Sequence, residues 1–361
     1  MSERPYRRLV VESVIPESES AKSFHLVAAD GTPLDEHLPG QHLPIRLTIP
    51  GRPRAVFRCY TISNYGDSFY RLTIKRELPP ADKPEIDPGV SSSYFHDGVS
   101  PGTIIEAKAP AGNFWLDPQQ EHPVVMLAGG IGVTPMMSML EALARTGSKR
   151  EVYFFFALRN AGDHVFKARL NQISRRCPGM RMTVFYARVR PGDIENQDYH
   201  ATGRISLDSV CALLPACDLE YFLCGPPGMM KSFSDQLLEQ GVAPARIRTE
   251  SFGPSSVALR QLISSDKDAM NAFQKAAGTT VTFARSAVNV PWTGEVQSLL
   301  QLAETNGVEI SSGCQYGDCG TCMTRLLEGK VQYLHPTGAR ADPGHCLPCS
   351  CRPDGPVVLD A

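Results

Sequence analysis

The chain has 361 residues, 42% hydrophobic and 20% charged, an ordinary globular composition with room for two or three cores. Its net charge of −2 provides no global basic field for phosphates and argues against nucleic acid as a partner. The start, MSERPYRRLV, lacks the apolar run of a signal peptide, and the longest low-charge run, Pro123 to Leu140, is broken by Gly129, Gly130, Gly132 and Pro135, so a cytoplasmic protein without a membrane span is expected.

From about Tyr6 to Asn113 short alternating stretches, such as Val56–Ser63 and Tyr70–Arg76, are separated by Pro/Gly-rich turns and predict an antiparallel β-barrel. Within it lies FRCYTISN, where strand alternation puts Arg58 and Tyr60 on one face. Downstream, GVSSSYFHD offers Gly89, Ser91, Ser92 and Ser93, a small polar loop whose N–H groups and hydroxyls suit a pyrophosphate. Taken alone, each of these reads equally well as a plain strand or a polar turn.

From Pro123 to Phe252 apolar strands at 124–128, 152–157, 182–186 and 221–224 alternate with helix-period segments, the pattern of a parallel sheet covered by helices. VVMLAGGIGVTPMMSML reads as strand, glycine turn, helix: Gly129, Gly130 and Gly132 permit a tight turn and close backbone approach, and Thr134 and Pro135 suit a helix start that attracts phosphate. The third glycine of the ordinary G-x-G-x-x-G fingerprint is missing. Cys224, Gly225, Pro226 and Pro227 follow the last apolar strand, at the end of a sheet strand where ligands of α/β folds sit. Residues 253–278, which include SSDKD, read as a polar linker.

Six of the eleven cysteines crowd between Cys314 and Cys351. Cys314, Cys319 and Cys322 are spaced C-x4-C-x2-C, the plant-type spacing for three thiolates of a 2Fe-2S cluster, with Gly317 and Gly320 letting the loop fold around a compact inorganic core. A structural zinc site more often uses paired C-x2-C. The fourth ligand is one of Cys346, Cys349 and Cys351. Other chemistries leave no trace: H-E-x-x-H, G-x-S-x-G and G-x-x-x-x-G-K-[ST] are absent, and His96, His122 and His200 read as surface or hydrogen-bonded residues.

Taken together, RCYT, GVSS, GGIGVTP, CGPP and the cysteine loop occur in an order that resembles the ferredoxin-NADP reductase superfamily, and in particular the reductase components of bacterial Rieske-type oxygenase systems. The resemblance covers essentially the whole chain and implies a flavin-binding β-barrel over 1–117, an NAD(P)-binding α/β domain over 118–252, a linker over 253–278 and an α+β (β-grasp) ferredoxin domain over 279–361. It implies that Arg58 neutralises a flavin phosphate, Tyr60 covers the isoalloxazine, Thr61 hydrogen-bonds the ring nitrogen that receives hydride, and Gly89 with Ser91–Ser93 cradles the flavin phosphates. Cys224 would lie beside the reacting nicotinamide carbon, and Phe252, in Glu250-Ser251-Phe252, would shield the flavin. SGCQYGDCGTC followed by LPCSCRP resembles ferredoxin modules in which the fourth ligand opens a C-x-x-R segment, which points to Cys349 with Cys351 as runner-up.

The cofactors implied are FAD with FMN as the alternative, a 2Fe-2S cluster, and NADH with NADPH as the alternative, Arg159 being the residue that keeps NADPH open. The partner implied is a terminal Rieske-type oxygenase. Residues 279–361 carry eight acids and five bases, a surplus of 8 − 5 = 3 negative charges, so a basic patch on the acceptor is expected near the Cys314 loop, with Asp318 contributing. Two other readings compete: a reductase serving another acceptor such as a hybrid-cluster protein, and a cluster-bearing binding module without turnover. Intact Tyr60, Thr61, Gly130 and Cys224 weigh against the second.

Overall fold

The computed structural model describes residues 6–52, 55–79, 84–85, 87–250, 252, 279–294, 296–315, 317, 319–334, 337 and 339–361. The linker expected over 253–278 and Asp318 lie outside the described residues. Two compact units form, one holding the barrel and the parallel sheet, the other the C-terminal module. Among the described residues no helix is long and apolar enough to cross a membrane.

The barrel is built from β1 (Arg7–Pro16), β2 (Ala21–Ala28), β3 (His42–Leu47), β4 (Val56–Thr61), β5 (Tyr70–Lys75) and β6 (Ile104–Ala107), with helix α1 (Val90–Gly98) between the last two. The sheet order is β4-β3-β6-β1-β2-β5, and an antiparallel bridge between Ile62 and Leu72 joins its two edges. Alternation decides which side chains fill it. In β2, Phe24 and Leu26 are buried with Leu9, Leu43, Ile45, Leu72 and Phe95, while His25 points the other way and stacks on Phe69 at 4.2 Å between ring centroids.

The second sheet is wholly parallel, in the order β10-β9-β8-β7-β11-β12, from β7 (Val124–Gly129), β8 (Val152–Leu158), β9 (Met180–Tyr186), β10 (Ala201–Thr202), β11 (Glu220–Cys224) and β12 (Ile247–Glu250). Every residue of β7 and β11 is buried, because helices cover both faces: Val124, Met126 and Ala128 join one apolar cluster and Val125 and Leu127 the other. Four helices accompany these strands: α2 (Val133–Thr146), α3 (Lys167–Arg176), α4 (Leu207–Cys211) and α5 (Pro227–Glu239). Pro135 in its first turn suits the start of α2, and Gly147 in the left-handed conformation (φ 66°) ends it by donating its N–H to Leu143 O. Glu141, buried on α2, accepts Arg71 of β5 at 3.0 Å, Arg169 of α3 at 3.1 Å and the Tyr65 backbone N–H at 3.1 Å, tying the barrel to the parallel sheet by a fully paired carboxylate.

The C-terminal unit contains β13 (Thr279–Phe283), β14 (Val288–Trp292), α6 (Leu299–Thr305), β15 (Thr324–Glu328), β16 (Val331–Tyr333), β17 (His345–Cys346), β18 (Cys351–Pro353) and β19 (Val357–Leu359). Its main sheet runs β14-β13-β19-β15-β17, with the first and last strands of the module paired in parallel, and β16 pairs separately with β18. The helix begins where Ser298 caps the Gln301 N–H and buries Leu299, Leu302 and Ala303 against Phe283, Trp292 and Leu359. This is the β-grasp arrangement expected from the sequence.

Candidate active site and cluster loop

In the parallel sheet the strand order reverses between β7 and β11, and ligands of such sheets bind in the crevice outside the carboxyl ends at that reversal. Both motifs that the resemblance ties to nicotinamide lie there: GGIGVTP leaves β7, and CGPP leaves β11. Their glycines are required chiefly by each other. A Cβ built on Gly132 would enter the van der Waals shell of the Cys224 carbonyl and lie 2.8 Å from Gly225 N; one on Gly129 would lie 2.5 Å from Pro226 Cδ, and one on Gly225 2.9 Å from Gly129 Cα. Gly130 is glycine for another reason: its φ is +54° in open space. Thr134 is buried and donates its hydroxyl to Ile131 O at 3.0 Å, closing the turn, and Pro135 is buried behind it. Cys224 is fully buried and sits in register with Ala128 on one side and Glu250 on the other. The close approach that the sequence suggested for a phosphate is thus made first between two protein loops.

The barrel residues divide into those already engaged and those left open. Tyr60 donates to Ser91 Oγ at 2.9 Å and meets the Phe95 ring edge-on at 5.4 Å, so β4 and α1 are linked by side chains that the sequence placed in separate motifs. Ser91–Ser93, expected as a polar loop, instead stand in the first turn of α1, where Ser92 accepts the Glu77 N–H at 3.1 Å and donates to Gly89 O at 3.0 Å. A Cβ on Gly89 would lie 2.6 Å from Ser92 Oγ and 2.9 Å from Glu77 Cβ, so a side chain there would displace these neighbours. Arg58 is exposed on β4 and donates to Phe57 O at 2.7 Å. Two buried hydroxyls, Thr61 Oγ1 and Ser93 Oγ, have no hydrogen-bond partner among the described residues. Orphaned buried hydroxyls are costly unless a bound group completes them, and one lies at the end of β4, the other in the first turn of α1, a helix whose N-terminal N–H groups have no side-chain cap. A flavin ring at the first and its phosphates at the second fit that pattern. Phe252 is 38% exposed.

Sequence reasoning passed over His42, the first residue of β3, which reads as a lone histidine in an apolar strand. The structure buries it with Nδ1 3.8 Å from Glu250 Oε1. His96, His122 and His200 make hydrogen bonds to Ile74 O, Arg246 and the Val184 N–H respectively.

In the C-terminal unit the loop between α6 and β15, bearing Cys314, Cys319 and Cys322, meets the 3-10 turn Pro348–Ser350 that bears Cys349, and four sulfurs come together. Cys314 and Cys319 each accept the other's backbone N–H at 3.3 Å; Cys322 and Cys349 lie 3.1 Å apart; and the Gly317 N–H points at Cys349 Sγ at 3.1 Å. Left-handed backbone at Gly317 (φ 80°), Gly320 (φ 66°) and Gln315 (φ 56°) makes this convergence possible. The hydrogen bond between the two thiols lowers the pKa of Cys319 and raises that of Cys314, so the pair favours carrying one negative charge between them. Among the described residues no three acidic, histidine or cysteine side chains gather around one ion. The sulfurs instead form two pairs, which suits a two-iron cluster taking two thiolates per iron. Cys351 lies apart: it is fully buried with Cys346 in the apolar core of the module.

A parallel sheet with a glycine crevice at its reversal point, set beside an antiparallel barrel and followed by a β-grasp cysteine loop, defines a nicotinamide-dependent oxidoreductase with an iron-sulfur module. Residues 126–235 match the family described as oxidoreductase NAD-binding domain, and residues 281–354 match the 2Fe-2S iron-sulfur cluster binding domain. The chain is 34% identical to the flavohem-like FAD/NAD-binding domain of nitric oxide dioxygenase from Vibrio cholerae O1 biovar El Tor, covering 100% of that domain with 70% of itself at a TM-score of 0.61. It therefore belongs to the FAD/NAD-binding reductase family of ferredoxin-NADP reductase type, with a C-terminal 2Fe-2S domain added. A flavohemoprotein of Rhizobium meliloti is 36% identical over 250 residues, 69% of this chain and 61% of that protein, so the chain spans about 61% of the length of such relatives. Phthalate dioxygenase reductase, 22% identical, shares the fold across 99% of this chain and 98% of its own at a TM-score of 0.57.

Proposed function

We propose that the chain is an NADH-dependent reductase that takes hydride onto FAD and passes electrons singly through a 2Fe-2S cluster to a Rieske-type oxygenase component. The observation that carries this reading is the pairing, on one chain, of the two-loop nicotinamide crevice beside β7 and β11 with a loop of four converging sulfurs. A nicotinamide gives two electrons at once and a cluster accepts one, and flavin supplies the conversion between them. The phthalate dioxygenase reductase likeness over the whole chain supports an oxygenase as acceptor.

In this reading the modules fall at 1–117, 118–252 and 279–361. Arg58, Gly89 and Ser91–Ser93 hold the flavin phosphates, Tyr60 and Phe252 flank the ring, and Thr61 donates to its hydride-accepting nitrogen. Gly129, Gly130, Gly132, Thr134, Pro135, Gly225 and Pro226 shape the nicotinamide crevice with Cys224 at its floor, and Cys314, Cys319, Cys322 and Cys349 bind the cluster. Purified protein should reduce an artificial dye with NADH, and mild acid should release flavin that chromatographs as FAD. A peak running only as FMN, or NADH-independent dye reduction, would overturn the corresponding part of the proposal.

NADH is preferred because the basic residue that follows β8 is already occupied: Arg159 Nε lies 3.3 Å from Asp163 Oδ2, which leaves little positive charge for a 2′-phosphate. The specificity constant should favour NADH over NADPH by tenfold or more, about 1.4 kcal/mol. Asp163→Asn should narrow that ratio by freeing Arg159. An unchanged ratio in the variant would show that Asp163 does not set the preference.

A further inference from the structure

The nicotinamide crevice holds one side chain that the function proposed above does not use. Met229, in the first turn of α5, is half-buried and reaches back over both glycine loops. A Cβ built on Gly129 would lie 3.0 Å from Met229 Cε and 3.1 Å from its Sδ, and one on Gly225 2.6 Å from Cε, so the thioether rests where the two loops meet. On its other side Met229 packs against the apolar cluster that contains Val125, Leu127, Leu223 and Phe233. We infer that Met229 is an oxidation site, at which hydrogen peroxide converts the thioether to the sulfoxide and reversibly disables the crevice. The inference rests on the function proposed above and adds a control on that site.

Accessibility singles this methionine out. Among the described residues Met126, Met136, Met137, Met139, Met180 and Met230 are buried, whereas Met182, Met229 and Met323 are partly accessible. Of those three, Met182 lies on β9 and Met323 in the C-terminal unit, and Met229 packs on the crevice glycines. The step balances: the thioether R-S-CH3 and H2O2 give the sulfoxide R-S(O)-CH3 and H2O, the sulfur losing two electrons as the O–O bond breaks. The oxidant has a source in turnover itself, because electrons that reach dioxygen instead of the acceptor make it: NADH, H+ and O2 give NAD+ and H2O2. A sulfoxide is polar where the thioether was apolar. At Met229 its oxygen faces either glycines that leave no room even for a Cβ or an apolar cluster that offers no hydrogen-bond donor. The flexible side chain therefore leaves its seat, and the start of α5 and the CGPP loop lose the packing that holds them. Hydride transfer is sensitive to shifts of that kind on the ångström scale.

The test is timed exposure of the flavin- and cluster-loaded protein to hydrogen peroxide, quenched with catalase and a thiol reductant. Each sample is then mixed rapidly with NADH to follow flavin bleaching, and its methionines are mapped by peptide mass. Bleaching is the rate to read, since it precedes the cluster and does not depend on it. It should slow in step with Met229 sulfoxide, by about 100-fold at complete oxidation, and methionine sulfoxide reductases A and B should restore it. Met229→Leu, close in volume and without sulfur, should keep its own untreated rate through the same exposure. A readout without turnover is protection: saturating NAD+ should slow oxidation of Met229 and leave that of Met182 and Met323 unchanged. A Met229→Leu protein as sensitive as the native one, sulfoxide at Met229 without slower bleaching, or oxidation indifferent to NAD+ overturns the inference alone. Absence of any NADH-driven bleaching in the untreated native protein overturns the proposed function, and the inference with it.

Discussion

Protein carrying Cys349→Ser should be isolated without iron-sulfur absorption, whereas Cys351→Ser should keep its cluster. The two thiols are two residues apart, and spacing cannot separate them. The chain does. Residues Pro348–Ser350 make a 3-10 turn that carries Cys349 to Cys322 and the Gly317 N–H, while Cys351 begins β18 and turns into the apolar core beside Cys346. The loss in Cys349→Ser should be complete, because a cluster missing one of four thiolates must bind a weaker oxygen ligand at the same site. Iron analysis decides it, native protein giving about two irons per chain on this stoichiometry. Cluster retained in Cys349→Ser and lost in Cys351→Ser would reverse the assignment of the fourth ligand.

Gly132→Ala should be the most damaging single methyl in the nicotinamide crevice. Its Cβ would press on the Cys224 carbonyl, a backbone group that can move only with β11. Overpacking of side chains typically costs about 1–3 kcal/mol, and a clash with a central strand belongs at the top of that range or above it. Displacing the CGPP loop by even an ångström should also lower the rate of hydride transfer by about 100-fold. Gly130→Ala makes the matched control, since nothing lies within 4 Å and only the left-handed backbone is penalised, at about 1–2 kcal/mol. Thermal melts and NADH-dependent dye reduction separate the two. Equal behaviour would mean that the two loops do not need their observed closeness.

These glycines show what the sequence could and could not tell. The strand-turn-helix pattern around GGIGVTP was legible because apolar runs, glycines and Thr-Pro each mark a different kind of local geometry, and strands predicted at 124–128, 152–157, 182–186 and 221–224 appear within one or two residues of those bounds. What demanded glycine at 129 and 132 was a second loop about 95 residues away, which no local pattern encodes. The helix of the C-terminal module, Leu299–Thr305, starts where Ser298 caps the Gln301 N–H, a side-chain signal rather than an apolar period. His42 was invisible for a related reason. Its burial against Glu250 depends on β12 arriving beside β3, a long-range fact, whereas a histidine before Leu-Pro-Ile reads as an ordinary strand residue. Ser92 read as part of a phosphate loop but stands in the first turn of α1, and the barrel hydroxyls without a partner among the described residues are those of Thr61 and Ser93.

The most direct test of the central claim is an anaerobic titration of the purified protein with NADH, monitored by visible absorbance and low-temperature electron paramagnetic resonance. The expected result is bleaching of the flavin together with the signal of a reduced 2Fe-2S cluster, both abolished in Cys224 or crevice variants that block hydride transfer. Flavin that bleaches fully while the cluster stays oxidised and silent would contradict electron passage from nicotinamide through flavin to the cluster.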